Sequence, residues 1–546
     1  MLTRHECHFA QLGLTYMWHC SCQETLIMTL RTTLVFGFGL LSTLAMGCVA
    51  GDEMSAEDDL TSVTARSRSL AFDGYVYVSA SASDSEILNA VRAQTQTAFG
   101  ALRTAEIGVN NRELKAVDVK TFTKTKVTVV DTANPSAPSS AMLKVRYRYT
   151  DNAVVPVSMA KRSAIGLAVM SPDYRNQTSR ILKECTSNDS HAQDFASSIW
   201  YVFDPSLSTC RSAMAAEQKL IDAANAKLLD PTSEISKEES QRLYLTTTVK
   251  LGADKTNKGL SYPEYDRLFS GGVKKDTLVI GLVNGFLDHG AKDATDSGYS
   301  EWMDTLRQLS NVRKFELASI EPAEDLSTFS VNGKTVTSAS FQDLIAWEVD
   351  GKLPAGLTYA DRAALKQAVG AKLVQHWVTL AAPVKVTLGS GAAKPFTIQV
   401  ASYFGSDSSQ APHKRAIKNS DVFVYNGHSY IGYGPLDPSN FSAADFPASY
   451  QLLFIDGCVS YNYYEKDYIP LKAGGTQNLD LITNGLEAPA WNSGNAVGKL
   501  LAKMIDGSWS SYSTLLTAAS QTDSLRVVDG ELDNAFNPKK TPITLK

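Results

Sequence analysis

Four apolar runs in the second half of the chain constrain its fold more than any other feature of the sequence. They lie at 276–285, 421–425, 452–455 and 479–485, and amphipathic segments with helical spacing separate or follow them. The first run, DTLVIGLVNG, is apolar almost throughout and ends in Asn-Gly, which is typical of strands that are buried on both faces of a parallel sheet. Strands that alternate with helices predict an α/β fold with a largely parallel sheet flanked by helices.

The chain before residue 250 has a different pattern. The stretches DGYVYVSASAS and KAVDVKTFTKTKVTVVD resemble strands, the second with the alternation of a half-buried strand, whereas SDSEILNAVRAQTQTAFGALRTA has apolar residues at roughly helical spacing. This mixture predicts a separate N-terminal α+β module over residues 71–250. The α/β domain is then expected over residues 251–546.

The start of the chain carries an export signal. A short basic stretch begins at Met28, and the apolar run TTLVFGFGLLSTLA that follows is long enough for a signal peptide and short for a transmembrane helix. The run ends in LAMGC, which resembles a bacterial lipobox, although Ala45 stands where Leu is usual. This resemblance implies that Cys48 carries a diacylglyceryl group; an ordinary signal peptide or a simple anchor is the alternative.

These features divide the N-terminal region. Residues 28–47 are the predicted signal peptide, and residues 1–27 precede it and are not expected in the mature protein. Residues 48–70 are polar and acidic, as a flexible tether between lipid and domain should be. The predicted location is outside the cytoplasm, as an outer-membrane lipoprotein or in the periplasm or on the cell surface of a Gram-negative bacterium.

Composition excludes several classes of partner. Hydrophobic residues make up 44% and charged residues 20% of the chain, which is normal for a globular protein. A formal net charge of −5 is too small to predict binding to nucleic acid or to an anionic membrane surface. Membrane attachment is therefore expected only through the N-terminal lipid.

The cysteines are consistent with export. Of the seven cysteines, three lie upstream of the signal and Cys48 would carry the lipid. Among the remaining three, Cys185 and Cys210 are close in sequence and can pair in an oxidising compartment. Cys458 is then left as a single thiol, which is either a reactive group or a buried, inert cysteine.

Two of the apolar runs deliver reactive residues to glycine-containing turns. The run at 421–425 is followed by Asn426-Gly427-His428-Ser429, and the next run is followed by Asp456-Gly457-Cys458. In an open parallel sheet, ligands bind outside the carboxyl ends of the strands, where His428 and Cys458 would meet if their strands are neighbours. A thiolate is the nucleophile, an imidazole can move its proton, and glycine lets backbone N–H groups approach an oxyanion.

These motifs resemble the caspase-like, clan CD cysteine peptidases, in which an apolar strand ends in His-Gly and a later one ends in Ala-Cys or Gly-Cys. The gingipain- and clostripain-like branch is the most similar. The resemblance implies a cysteine endopeptidase in which His428 is the general base and acid and Cys458 is the nucleophile, with its N–H as one oxyanion donor. It implies a peptide or protein substrate and no cofactor. The family usually has Gly directly after the His, whereas this chain has Ser429 there and Gly427 before it.

Two alternatives stay open. The chain is either this peptidase or a catalytically inactive caspase-like surface lipoprotein that binds peptides or a partner protein, which Ser429 favours. Asp456 either holds a basic substrate side chain in a pocket or orders the turn before Cys458. No metal site is predicted, because the mature chain contains neither an HExxH nor a CxxC motif.

Overall fold

A computed structural model describes residues 59–187, 190–257, 261–288, 290–405, 408–520 and 524–546. The predicted signal peptide, the lipidated Cys48 and the segment 1–27 lie outside these residues. The described residues belong to one compact unit.

The first sheet is formed by the segment 65–254, called here the first-sheet segment. Its strands are β1 (Ala65–Ser79), β2 (Gly108–Val109), β3 (Thr123–Val130), β4 (Ser140–Pro156), β5 (Ala164–Met170), β6 (Glu234–Ser236) and β7 (Tyr244–Asp254). They run in the order β5-β7-β1-β4-β3-β6, with β2 beside β4. β3 and β6 pair in parallel, and the other pairs are antiparallel. β1 begins inside the segment predicted as a tether, because Ala65, Ser67 and Leu70 are buried.

The same segment contains helices, two of which are joined by a disulfide. They are α1 (Asp84–Gln96), α2 (Ala98–Thr104), α3 (Thr178–Cys185), α4 (Ser190–Asp194), α5 (Ile199–Val202), α6 (Ser208–Asn225) and α7 (Lys237–Ser240). Ser83 is the N-cap of α1, and its side chain and backbone form a reciprocal capping box with Glu86. The predicted pairing of Cys185 with Cys210 is confirmed: their sulfur atoms lie at disulfide distance and join α3 to α6, with the Cα atoms 4.5 Å apart.

The second sheet is formed by the segment 277–545. Its strands, together with the small β10–β11 hairpin, are β8 (Thr277–Gly285), β9 (Glu316–Glu321), β10 (Thr328–Val331), β11 (Lys334–Thr337), β12 (Trp377–Leu388), β13 (Lys394–Gly405), β14 (Val422–Asn426), β15 (Gln451–Asp456), β16 (Leu479–Asn484), β17 (Arg526–Asp529) and β18 (Ile543–Leu545). The order is β17-β16-β15-β14-β8-β13-β12-β18, with β9 on β12. The run from β16 to β13 is parallel, and antiparallel strands complete both edges.

The helices of this second segment are α8 (Tyr265–Leu268), α9 (Ser297–Val312), α10 (Phe341–Glu348), α11 (Arg362–Leu373), α12 (Gln410–Lys418), α13 (Ser460–Tyr463), α14 (Glu465–Tyr468), α15 (Ser493–Ile505) and α16 (Tyr512–Ala518). Short 3-10 turns lie at Arg112–Leu114, Val119–Thr121, Val157–Met159, Tyr174–Gln177, Ala196–Ser198, Tyr359–Asp361, Tyr430–Gly432, Pro438–Asn440, Ala443–Asp445, Ile469–Leu471, Gly475–Asn478 and Glu531–Asp533. The predicted α/β class is confirmed in the form of two large mixed sheets with helices. None of the helices in the described part of the chain is both long and apolar enough to cross a membrane.

The two faces of the second sheet pack on different layers. Leu282 and Phe454 point into a core with Trp302 of α9 and Leu500 of α15. Because side chains alternate along a strand, their neighbours point to the opposite face. Both faces of β8, β14, β15 and β16 are buried, which explains why these strands are almost continuously apolar.

The first-sheet segment covers the opposite face. Phe99 and Trp200 of that segment share one buried cluster with Phe423 and Leu453 of the second sheet. The predicted separation of an N-terminal module is therefore not confirmed, because its apolar side chains complete the core of the second sheet.

A buried carboxyl group lies at the opposite end of β16 from the predicted site. Asp480 is fully buried, and Tyr450, Tyr512 and Asn534 all donate hydrogen bonds to its Oδ2 atom. Within the described residues, its Oδ1 atom has no hydrogen-bond partner. Burial raises the pKa of Asp480 from 3.8 to about 7.

We expect the Asp480→Asn change to remove a pH dependence of stability. A raised folded-state pKa gives a stabilisation that is complete below the unfolded-state pKa and is lost as the pH rises through the folded-state value. The free energy of unfolding of the wild type, relative to that of Asp480→Asn, should therefore fall by on the order of 4 kcal/mol between about pH 4 and pH 7. Urea unfolding over this range measures this difference, and Asp73→Asn, at an exposed position of β1, is the control. Parallel profiles for the wild type and Asp480→Asn would contradict the expectation.

Candidate active site

His428 and Cys458 follow neighbouring parallel strands. β14 and β15 pair in register up to Asn426 and Asp456, and His428 and Cys458 each come two residues later. The turns touch: the Gly427 N–H donates to the Asp456 carbonyl oxygen at 3.4 Å. A Cβ atom on Gly457 would lie only 3.3 Å from the Gly427 carbonyl oxygen, so glycine permits this approach. The two motifs therefore lie side by side at one edge of the sheet.

His428 is oriented by the strand on the other side. Its half-buried ring places Nε2 3.1 Å from the Leu287 carbonyl oxygen, just after β8. A carbonyl only accepts hydrogen bonds, so Nε2 carries the proton in this contact. In the neutral ring Nδ1 is then the basic nitrogen, which is the arrangement that a general base needs.

A buried carboxylate holds the Leu287 backbone in place. Asp296 is fully buried at the N-cap of α9, and its oxygens accept hydrogen bonds from the N–H groups of Leu287, Asp288 and Gly298 at 2.8–3.1 Å. The carbonyl that orients His428 is thus fixed by the start of a helix. An Asp directly before a helical pattern is a sequence signal for a cap, but its link to His428 has no sequence signal.

Tyrosine hydroxyls fix the turn after His428. The Tyr425 hydroxyl donates to the His428 carbonyl oxygen at 2.8 Å, and the Tyr464 hydroxyl donates to the Ser429 carbonyl oxygen at 2.9 Å. Ser429 has φ −84° and ψ −15°, a right-handed conformation open to any residue. Position 427, in contrast, requires glycine, because a Cβ atom there would lie 2.5 Å from the Tyr425 hydroxyl oxygen. Serine at position 429 therefore costs no backbone strain.

An arginine of the first-sheet segment holds the next residues. Tyr430 and Ile431 both have φ 52°, a left-handed conformation that costs about 1–3 kcal/mol each. Arg112 donates to the Gly432 carbonyl oxygen at 2.6 Å, and its guanidinium lies 4.7 Å from the centroid of the Tyr433 ring. Arg112 thereby stabilises the loop that follows His428.

Cys458 is a half-buried thiol and the free cysteine of the described residues. Its S–H donates to the Ala488 carbonyl oxygen at 3.8 Å. Burial and the negative charge of Glu487 raise its pKa to about 11, so the thiol is protonated near neutral pH. Val459 follows in a left-handed conformation with φ 46°, which is rare for a β-branched residue and marks a sharp turn.

Asp456 is paired inside the protein. It is 2% exposed, and its Oδ1 atom accepts hydrogen bonds from Arg526 and Asn484, both at 2.8 Å. Its charge is therefore already balanced by a cation of the same chain. Of the two alternatives for Asp456, this arrangement favours the one in which the side chain orders the turn before Cys458.

Side chains of the first-sheet segment contact the Cys458 side of the site. Arg103 of α2 lies 2.7 Å from Glu487, and the Tyr201 hydroxyl donates to the same carboxylate oxygen at 3.1 Å. Sequence reasoning missed these residues, because a contact between residues 384 positions apart leaves no local pattern. In the described part of the chain, no group of His, Cys, Asp and Glu side chains could hold a metal ion.

The turns that carry His428 and Cys458 therefore lie side by side at the carboxyl edge of a mixed α/β sheet. Comparisons of the chain with protein-family models, with curated proteins and with solved structures found no match.

We expect Asp296→Ala to be far more destabilising than the neighbouring Asp293→Ala. Asp296 accepts hydrogen bonds from buried or half-buried backbone N–H groups, so its loss should cost on the order of 2–3 kcal/mol of unfolding free energy. Asp293 is exposed, and its carboxylate bonds Thr295 of its own turn and the Gln367 side chain, so its loss should cost about 0.5 kcal/mol. Urea unfolding of both variants measures the difference, and equal losses would contradict a special role of Asp296.

Proposed function

We propose that the protein is a cysteine peptidase that hydrolyses peptide bonds with Cys458 as nucleophile and His428 as general base and acid. The observation that carries this proposal is the contact between the two turns after the neighbouring parallel strands β14 and β15. The hydrogen bond of the His428 ring supports it, since Nε2 donates to the Leu287 carbonyl oxygen and Nδ1 is then the basic nitrogen of the neutral ring.

The chemistry follows from these groups. Nδ1 of His428 takes the proton of the Cys458 thiol, and the thiolate attacks the carbonyl carbon of the peptide bond. Backbone N–H groups of Cys458 and Ser429 would stabilise the oxyanion. His428 then gives its proton to the leaving amine, and water hydrolyses the acyl-enzyme with His428 again as base. Neither a metal nor a cofactor takes part in this scheme.

A caspase-like arrangement of the second sheet is part of the proposal. It is supported by the parallel run of β13, β8, β14, β15 and β16, with helices α9 and α15 on one face. The order of the motifs also fits the resemblance, because the His-bearing turn precedes the Cys-bearing turn and the two strands are neighbours. The ordinary backbone conformation of Ser429 supports an N–H at the position where the family has glycine.

Substitution of the two reactive residues tests this function. Cys458→Ala should lower peptide hydrolysis by at least about a thousandfold, because it removes the nucleophile. His428→Asn should lower it by about a hundredfold or more, because it removes the proton carrier. Hydrolysis of fluorescein-labelled casein and of a fluorogenic peptide library is the measurement.

His376→Gln is the matched control, since this His lies before β12 and its ring Nδ1 contacts the Val374 carbonyl oxygen instead. Its activity should equal that of the wild type. Hydrolysis that survives in Cys458→Ala would rule out the assigned nucleophile.

The second candidate is a catalytically inactive surface protein that binds peptides or a partner protein. The observation that favours it is the environment of the thiol, since burial and the Glu487 charge raise its pKa to about 11 and oppose thiolate formation. This candidate is preferred if the wild type binds library peptides but cleaves none of them, and if Cys458→Ala binds equally well.

Export and lipid attachment at Cys48 are a further part of the proposal. The disulfide between Cys185 and Cys210 supports export, because disulfides persist in oxidising compartments. In a Gram-negative host, the wild type should incorporate radiolabelled palmitate and fractionate with membranes, whereas Cys48→Ser should do neither. Equal palmitate incorporation in both proteins would contradict lipidation at Cys48.

A further inference from the structure

The loop over Cys458 has two fixed ends. It comprises residues 485–492, between β16 and α15, and is called here the 485–492 loop. At its start, the N–H groups of Gly485 and Leu486 donate to the carbonyl oxygens of Leu525 and Ser524 at 3.1 and 2.9 Å. At its end, the Asn492 N–H donates to the Glu301 carboxylate at 2.9 Å, and Asn492 has φ 63°. Both ends of the loop are therefore held by hydrogen bonds to other parts of the protein.

The middle of this loop lies against the thiol. The Leu486 carbonyl oxygen accepts a hydrogen bond from the Val459 N–H at 2.9 Å, and the Ala488 carbonyl oxygen accepts one from the Cys458 S–H at 3.8 Å. Residues 486–489 are half-buried, and so is Cys458. The loop thus covers part of the surface through which a substrate or reagent would reach the sulfur.

Glu487 connects the loop to the first-sheet segment. Its Oε1 atom lies 2.7 Å from Arg103 Nη1 and accepts a hydrogen bond from the Tyr201 hydroxyl at 3.1 Å. These partners are prearranged, because Arg103 Nε donates to the Tyr201 carbonyl oxygen at 3.3 Å and the guanidinium lies 4.9 Å from the Tyr201 ring centroid. The Arg103 and Glu487 side chains are 17% and 40% exposed, so water partly screens this ion pair.

We propose that Arg103 and Tyr201 regulate access to Cys458 by holding Glu487, and with it the 485–492 loop, over the thiol. The proposal rests on the proposed function, because it concerns access to the nucleophile assigned there. The first-sheet segment then acts as a latch: the site is closed while Glu487 is held and opens when the ion pair breaks. No covalent step is needed, since only a carboxylate exchanges its protein donors for water.

A change of charge and an opening of the loop predict opposite changes in the alkylation rate of Cys458 in Arg103→Gln. Glu487 raises the pKa of the Cys458 thiol, whereas the positive charge of Arg103 lowers it. Through charge alone, Arg103→Gln should decrease the thiolate fraction and slow alkylation of Cys458. Through opening of the loop, the same change should accelerate alkylation. Glu487→Gln accelerates alkylation by both routes, so Arg103→Gln is the decisive variant.

The experiment measures alkylation by iodoacetamide in the full-length chain, quantified by mass spectrometry on the peptide that contains Cys458. For Arg103→Gln we expect about a fivefold faster rate than for the wild type, which corresponds to loss of a partly exposed ion pair. Tyr201→Phe should accelerate the reaction by less. High salt should accelerate the wild type but not Arg103→Gln, because salt screens the pair.

Arg307→Gln is the matched control. It breaks a partly exposed pair of similar length, 2.9 Å to Asp350, in which neither residue belongs to the 485–492 loop, and should leave the rate unchanged. A rate for Arg103→Gln at or below that of the wild type overturns the proposal, as does equal acceleration in the control. If Arg103→Gln does not fold, two other results decide. A Tyr201→Phe rate at or below that of the wild type, or a wild-type rate that high salt does not increase, overturns the proposal.

Alkylation needs no peptidase activity, so the two proposals fail separately. If neither the wild type nor Arg103→Gln cleaves peptide but Cys458 is alkylated faster in Arg103→Gln, the peptidase is refuted and the latch is kept. A peptidase whose Cys458 reacts at one rate in all variants refutes the latch alone.

Discussion

The parallel pairing of β8, β14 and β15 is the constraint on which the rest of the structure depends. These strands are buried on both faces, so the sheet is stable only when two layers cover it. Helices α9 and α15 form one layer, and the first-sheet segment forms the other. The same pairing aligns the last residues of the strands, so that the turns carrying His428 and Cys458 begin at the same level.

The first-sheet segment forms its own sheet but also has two structural roles in the second sheet. Its apolar side chains complete a core with the second sheet, and its polar side chains hold the loops at the carboxyl edge. Arg112 supports the loop after His428, and Arg103 with Tyr201 holds the loop beside Cys458. Removal of this segment would expose the apolar face of β14 and β15, so the site and the segment depend on one another.

The environment of Cys458 holds the residue in place but favours the protonated form of its thiol. Close packing and the nearby Glu487 carboxylate favour the neutral thiol, whereas a nucleophile must be a thiolate. The Leu287 carbonyl directs the proton of the His428 imidazole to Nε2, so Nδ1 is the basic nitrogen of the neutral ring. In the proposed reaction, the thiol therefore depends on proton transfer to His428 and on movement of charge and covering groups around the sulfur.

By itself, the sequence determined the features that local chemistry encodes. Continuous apolar runs with glycine turns indicated the parallel strands, a single leftover cysteine followed from pairing the other two, and the two motifs located His428 and Cys458. Only the tertiary structure decided that β1 begins at Ala65, that Arg526 neutralises Asp456, and that Arg103 holds Glu487. The reason is physical: a charged side chain near a motif looks the same in sequence whether it faces substrate or a partner on a distant strand. Likewise, the Leu287 carbonyl that orients His428 belongs to the backbone, which every residue shares, so only the packing of β8 and α9 selects it.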